Sequence, residues 1–284
     1  MDKIKIIAMD LDGTLLDSEK RLSEENRAAL QRAADAGIEI VPTTGRIYAI
    51  IPEVIRELPF VHYAITVNGA EVYDVKNDRV LAKNELPWQK AVEIMEYLDG
   101  FNVVYDCYQG GCGYMTAAHL AKVEDYILGA HFKAIYAKSR KPVPELRDYL
   151  REQGRGVQKF QLCTKDQTLR AQLLEDLKTR FSGVVFNCVL PYNIEVNEEK
   201  CHKGAALEVL CAHLGCTMEN VMTFGDGQND MTMLQMAGIS FAMENAAPEV
   251  KAAAKYVTGS CDESGVAQAI NSLLLGEGAL AEGG

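Results

Sequence analysis

The sequence predicts an α/β fold, a parallel sheet with helices on both faces, interrupted by an inserted α+β domain. Three observations predict it. Short apolar runs alternate with helical patterns toward both ends of the chain, the signature of a parallel sheet. Several of these runs end in acidic, hydroxyl or glycine residues, where a doubly wound sheet places its ligands. The middle, from about Leu86 to Leu190, departs from the alternation.

Ile4–Met9 is the first apolar strand, and it runs into acids. A helix follows, with Ser23 suited to cap its start and Gly37 to stop it. Ile38–Val41 is the second strand and delivers Pro42-Thr43-Thr44-Gly45-Arg46. A helical stretch to about Leu58 comes next, shortened or kinked by Pro52. Tyr63–Val67 is the third strand. Asn68-Gly69 is a two-residue turn signal, so a hairpin into Ala70–Asp74 is expected.

The alternation resumes with a helix over Gly204–Leu214 and strands at Val221–Phe224, Ile239–Met243 and Tyr256–Thr258. Helices are expected at Asp230–Ala237, Pro248–Ala254 and Val266–Leu275. The middle reads as helix Trp88–Leu98, strand Val103–Tyr108, a break at Gly110, Gly111 and Gly113, and a helix from Pro144 to about Glu152. Strand Val157–Cys163, helix Thr168–Phe181 and strand Val184–Leu190 follow. The expected division is a core of residues 1–84 and 192–284 and an inserted α+β domain of residues 85–191. The tail Gly276–Gly284 is small and acidic and reads as mobile.

Composition narrows the function. The chain has 284 residues, 48% of them hydrophobic and 24% charged, enough to bury a sizeable core. A net charge of −11 argues against nucleic acid as a partner, because that affinity comes from Lys and Arg. It leaves room for a small anion in a locally positive pocket. The apolar run at the start is too short and too charged for a signal peptide. No stretch approaches the roughly 20 apolar residues of a spanning helix. A cytoplasmic protein without membrane association is expected. Its eight cysteines then read as reduced, buried small hydrophobes. No pattern in the sequence fixes an oligomeric state.

Four segments carry chemistry. Asp10-Leu11-Asp12-Gly13-Thr14 follows the first strand directly. Two carboxylates there can face one site if the chain turns, and Gly13 permits the turn. One can attack phosphorus, and the other can give a proton to the leaving group and then take one from water. Thr43-Thr44-Gly45-Arg46 suits phosphate binding by hydroxyl and backbone N–H, although a helix cap would look the same. Lys203-Gly204 sets a lysine at a helix start, against the dipole. An anion partner or a simple exposed lysine would both account for it. Gly225-Asp226-Gly227-Gln228-Asn229-Asp230 gathers hard oxygen donors that suit Mg²⁺, or caps a helix.

Together these four segments, in this order, resemble the haloacid dehalogenase-like superfamily, and most closely its Cof-type branch. The resemblance covers the whole chain. It implies a Rossmann-like core and an α+β cap that closes over the site and helps select the leaving group. It implies a cytoplasmic, Mg²⁺-dependent phosphatase acting on a small phosphorylated metabolite. Sugar phosphates or phosphorylated cofactors such as pyridoxal phosphate or FMN are the expected substrates. By the same resemblance Asp10 is the nucleophile and a metal ligand. Asp12 is the general acid/base and gives its backbone carbonyl to the metal, and Asp226 is the remaining acidic ligand. Thr44, Lys203 and Asn229 bind phosphate with the backbone of Leu11 and Gly45, and Asp230 holds the lysine.

His202 departs from the family pattern and reads as exposed or at a pocket rim. Gly110–Met115, with Tyr108 and Tyr114, is a candidate cap contact. A phosphomutase or other phosphotransferase would use the same intermediate. A non-catalytic relative would have lost one of Asp10, Asp12, Lys203 or Asp226, and all four are present. A dinucleotide-binding fold would need G-x-G-x-x-G after the first strand, where D-L-D-G-T stands instead.

Overall fold

The computed structural model describes residues 4–126, 136, 139–188 and 190–275. The expected mobile tail lies outside these residues. The first compact unit runs to Arg46, resumes over Ile51–Ala82 and continues from His202; the second holds Ile47–Ile50 and Lys83–Cys201.

The first unit opens with β1 (Ile6–Met9), α1 (Glu24–Asp35) and β2 (Glu39–Pro42). Ser23 caps α1 by accepting a bond from the Asn26 amide at 3.2 Å, and Gly37 stops it at φ +83°. Where a helix to Leu58 was expected, Pro52 leaves only a 3₁₀ turn at Tyr48–Ile50 and the single turn α2 (Glu53–Arg56). Proline has no N–H to extend the preceding turn. A small sheet follows, ordered β3 (Tyr63–Thr66), β4 (Glu71–Asp74), β5 (Arg79–Lys83).

The second unit contains α3 (Trp88–Leu98), β6 (Val104–Gln109), β7 (Cys112–Thr116), α4 (Ala117–Lys122), β8 (Arg140–Val143) and α5 (Leu146–Gln153). It continues with β9 (Lys159–Cys163), α6 (Gln167–Arg180), β10 (Val184–Asn187) and β11 (Asn193–Glu198). These strands form one sheet ordered β10-β11-β9-β6-β7-β8. One face is apolar, and Phe160, Leu162, Ile194 and Val196 pack there with Ile94, Leu98, Leu173 and Leu177. The sequence reading began the core at 192, but β11 pairs with β9 and β10, so the chain returns to the first unit at His202. Of the rings singled out in the sequence, Tyr114 stacks on Tyr149, and Tyr108 is buried beneath Arg140 and Lys159.

Back in the first unit come α7 (Lys203–His213), β12 (Val221–Gly225), α8 (Met231–Met236), β13 (Ile239–Met243), α9 (Pro248–Ala253), β14 (Tyr256–Thr258) and α10 (Gly265–Leu275). The main sheet is β14-β13-β12-β1-β2, and every pairing in it is parallel. Ile6, Ile7, Ala8 and Met9 are all fully buried, so both faces of β1 are covered, as expected of a parallel sheet. Leu207, Leu210 and Met233 pack on one side with Ile6, Ala8, Val41 and Val221. The register sets Met9 beside Phe224 on one side and Pro42 on the other. The residues that follow these three positions share one end of the sheet. Among the described residues, no helix is long and apolar enough to cross a membrane.

Candidate active site

Asp10 follows β1 and continues its ladder, with the Asp10 N–H donating to the Phe224 carbonyl at 3.1 Å. The chain then turns back, as Leu15 and Leu16 donate to the carbonyls of Asp10 and Leu11. Leu11 is fully buried beneath this turn. Gly13 has φ +89°, and a Cβ there would lie 2.4 Å from Asp226 Oδ2. Only glycine fits that approach. Thr14 Oγ1 donates to the other Asp226 oxygen at 2.7 Å. The first and fourth motifs are thus locked together.

Lys203, at the start of α7, has no exposed surface. Its Nζ lies 2.7 Å from Asp10 Oδ1 and 2.6 Å from Asp230 Oδ1. An exposed lysine is excluded. His202 is the N-cap of α7, its Nδ1 accepting from the Ala205 amide at 3.0 Å, so its side chain serves the helix. The second oxygen of Asp230 accepts from the amides of Asp226 and Gly227 at 3.0 and 2.9 Å. Asp230 is therefore fully bonded while Asp226 keeps acceptor capacity.

Thr44 is buried and takes the Arg46 amide on its hydroxyl at 3.2 Å; the next helical turn begins only at Tyr48, so Thr44 is not its cap. Arg46 forks onto Asp12, with Nε and Nη2 each 2.7 Å from one carboxylate oxygen, and Lys20 adds a 3.0 Å contact. Asn229 Nδ2 donates to Asn68 Oδ1 at 3.1 Å, and Gly45 packs against that same oxygen. Arg46, Lys20, Asn68 and Thr14 received no role from sequence. Arg46 lay inside a quoted motif and Asn68 inside a recognised turn, but their partners stand far away in the chain.

The electrostatics follow from one buried lysine serving several acids. Burial pushes the Asp10 carboxyl up, Lys203 pulls it down, and Asp230, Asp226 and Asp12 raise it again, to about 8. Burial and Asp230 bring Asp226 to about 6, against the Thr14 bond and Lys203. Burial also works to raise Asp12, but Arg46 and Lys20 outweigh it and hold it at about 2. Burial works to lower Lys203, and its two carboxylates more than reverse that. Oxygens of Asp10, Asp226 and Asp230 lie within 4.8 Å of one another. Such a short-of-cation set of hard oxygens fits a divalent cation such as Mg²⁺. Once ionised, as a bound cation would favour, the Asp10 carboxylate is held by the buried ammonium in position to attack an electrophile.

Comparison with known proteins agrees. The profile of the haloacid dehalogenase-like hydrolases matches residues 7–270. A Bacillus subtilis protein named 5-amino-6-(5-phospho-D-ribitylamino)uracil phosphatase YcsE is 33% identical over 273 residues, covering 96% of each chain. The Escherichia coli pyridoxal phosphate phosphatase YbhA is 30% identical over 95% of this chain and 99% of its own. The crystal structure of a haloacid dehalogenase-like hydrolase from Bacteroides thetaiotaomicron superposes with a TM-score of 0.80 at 29% identity, covering 95% of this chain and 99% of that one. The chain belongs to the haloacid dehalogenase-like hydrolase family and is an enzyme of its phosphatase branch.

Proposed function

We propose that the chain hydrolyses small phosphomonoesters in a Mg²⁺-dependent reaction, through an aspartyl phosphate on Asp10. One observation carries the reading. Lys203 bridges Asp10 and Asp230 in a fully buried position at the carboxyl end of the sheet, beside Asp226. A structural lysine has little reason to sit there, whereas one that orients a nucleophile does.

Asp10 attacks phosphorus, and the bond to the leaving oxygen breaks as Asp12 supplies that oxygen with a proton. Asp12 then takes a proton from water, whose oxygen displaces the phosphoryl group from Asp10. Held by Arg46, Asp12 is ionised; opening of the fork lets it first take up from solvent the proton that it gives to the leaving oxygen. Thr44, Lys203, Asn229 and the backbone of Leu11 and Gly45 hold the phosphoryl oxygens, and Asp230 fixes Lys203. Asp10, Asp226 and the Asp12 carbonyl would hold Mg²⁺, which when bound offsets the charge of the phosphate dianion against these acids.

The substrate is a small phosphorylated metabolite, a sugar phosphate or a phosphorylated cofactor such as pyridoxal phosphate or FMN. The names of the Bacillus and Escherichia relatives, a ribityl phosphate and a pyridine phosphate, support that class. Substrate choice is assigned to the inserted unit.

The test is phosphate release from a panel of phosphorylated sugars, nucleotides and cofactors, with Mg²⁺ or EDTA. Wild type is expected to release phosphate only with the metal, and Asp10→Asn to release none. Activity persisting in Asp10→Asn would overturn the nucleophile. Label from ¹⁸O-water missing from the released phosphate would overturn hydrolysis.

A further inference from the structure

The turn between β3 and β4 is more strained than a hairpin requires. Asn68 and Gly69 have φ +61° and +102°, the left-handed values that a two-residue turn asks of such a pair. Val67 is left-handed as well, at φ +52°. A β-branched residue there is an outlier that costs about 1–3 kcal/mol, and it persists only where the surroundings impose it.

The surroundings are three of the four motifs. The Val67 amide donates to the Arg46 carbonyl at 2.9 Å, and the Asn68 amide to the Thr44 carbonyl at 3.1 Å. A Cβ on Gly69 would lie 2.5 Å from the His202 carbonyl oxygen, so the turn abuts the start of α7. Asn68 is only 1% exposed, and its Oδ1 accepts from Asn229 Nδ2 at 3.1 Å. A Cβ on Gly45 would stand 2.7 Å from that oxygen. The strain therefore sets one carboxamide among the segments that follow β2, precede α7 and follow β12.

We propose that Asn68 is a positioning residue: its side-chain carbonyl fixes the Asn229 carboxamide so that the remaining N–H of Asn229 is presented to a phosphoryl oxygen. The inference rests on the reading of Asn229 as a phosphate ligand. A carboxamide nitrogen has two N–H groups. The bond to Asn68 uses one and sets the plane of the other. Without Asn68, Asn229 could rotate and would have to be ordered anew by each substrate, at a cost in binding.

Asn68→Gly is the informative variant, because glycine adopts the left-handed backbone freely, so the carboxamide is removed without straining the turn. It is compared with Asn229→Ala and with the double variant, in phosphate release with Mg²⁺. Asn68→Gly is expected to lose about tenfold in kcat/KM, carried by KM, the size of one hydrogen bond to a charged group. The double variant is expected to match Asn229→Ala within about twofold, since contacting residues that act as one do not add. The same cycle is read as the rise in thermal midpoint given by inorganic phosphate with Mg²⁺, which does not depend on turnover. The two single variants are expected to lose that rise alike.

Losses that multiply in the double variant, or an Asn68→Gly enzyme with unchanged KM, would overturn the role of Asn68. An Asn229→Ala enzyme that binds phosphate and turns over as wild type does would overturn the reading beneath it, and the inference with it.

Discussion

The first unit sets one buried lysine beside the carboxylates of Asp10, Asp226 and Asp230, whereas the inserted unit buries its ions in matched pairs. There Arg140 meets Asp106 at 3.2 Å and Lys159 meets Glu195 at 2.7 Å. Rings cover these cations too: Tyr136 lies 3.8 Å and Tyr108 4.7 Å from the Arg140 guanidinium. Both units remove charge from water, but only the first leaves it unbalanced. A balanced pair is complete and holds shape. A cluster with too few cations keeps a carboxyl near neutral pH and gives a metal ion a reason to bind. Imbalance, more than burial, separates the reactive region from the structural one.

The largest effect should come from breaking the unbalanced cluster. Lys203→Met is expected to lower phosphate release by about 10²–10³-fold, as when one preorganised donor to a reacting group is lost. Assays with Mg²⁺ in excess check this, and a loss under tenfold would mean that Lys203 serves stability alone. In the inserted unit the effect should fall on stability. Arg140→Met strands Asp106 and is expected to cost about 3–5 kcal/mol in urea unfolding. The double variant Arg140→Met with Asp106→Leu should recover most of it, because replacing both members of a buried pair is often neutral. A double variant as weak as the single one would show that the pair is not a closed unit.

The smallest effect concerns pH. Asp10 titrates at about 8 when folded, against an ordinary value of 3.8. Between these values the folded protein binds more protons than the unfolded chain, so this group makes wild type less stable as pH rises from 4 toward 8. Asp10→Asn does not titrate. In EDTA its thermal midpoint should therefore gain on wild type with rising pH across this range. Mg²⁺ should narrow the difference by neutralising the acids of wild type. A difference that stays flat with pH would mean that the cluster is already balanced.

The strand ends of the first unit were readable because an acid directly after a buried apolar run has few structural uses. Asp10 and Asp226 were found that way, and Lys203 by its place at a helix start, against the dipole. The fork from Arg46 to Asp12 and the bond from Asn229 to Asn68 were not, since they join positions 34 and 161 residues apart. No local pattern encodes such pairings. In the inserted unit β7 was hidden by Gly110, Gly111 and Gly113, which read as a break, whereas the first two form a tight turn and Gly113 lies within β7, paired on both sides. β11 was hidden by its polar residues: Asn193, Glu195 and Asn197 fall just after the expected start of the core at 192, yet all three are buried in the inserted unit. A polar strand face that is covered defeats the usual rule that polar residues point outward.

Asp10 and Lys203 are 193 residues apart, and the whole inserted unit is spliced between them. β1 takes one neighbour, β2, from the same early stretch, but its other neighbour, β12, begins only at Val221. During synthesis the nucleophile is made well before its lysine, with the inserted unit between them. The central pairing of the sheet, β1 with β12, is a long-range contact, and such contacts slow folding. The same pairing brings Asp226 to Asp10, so a chain stopped short of β12 would carry Asp10 and Lys203 without the strand end that holds Asp226 and Asn229.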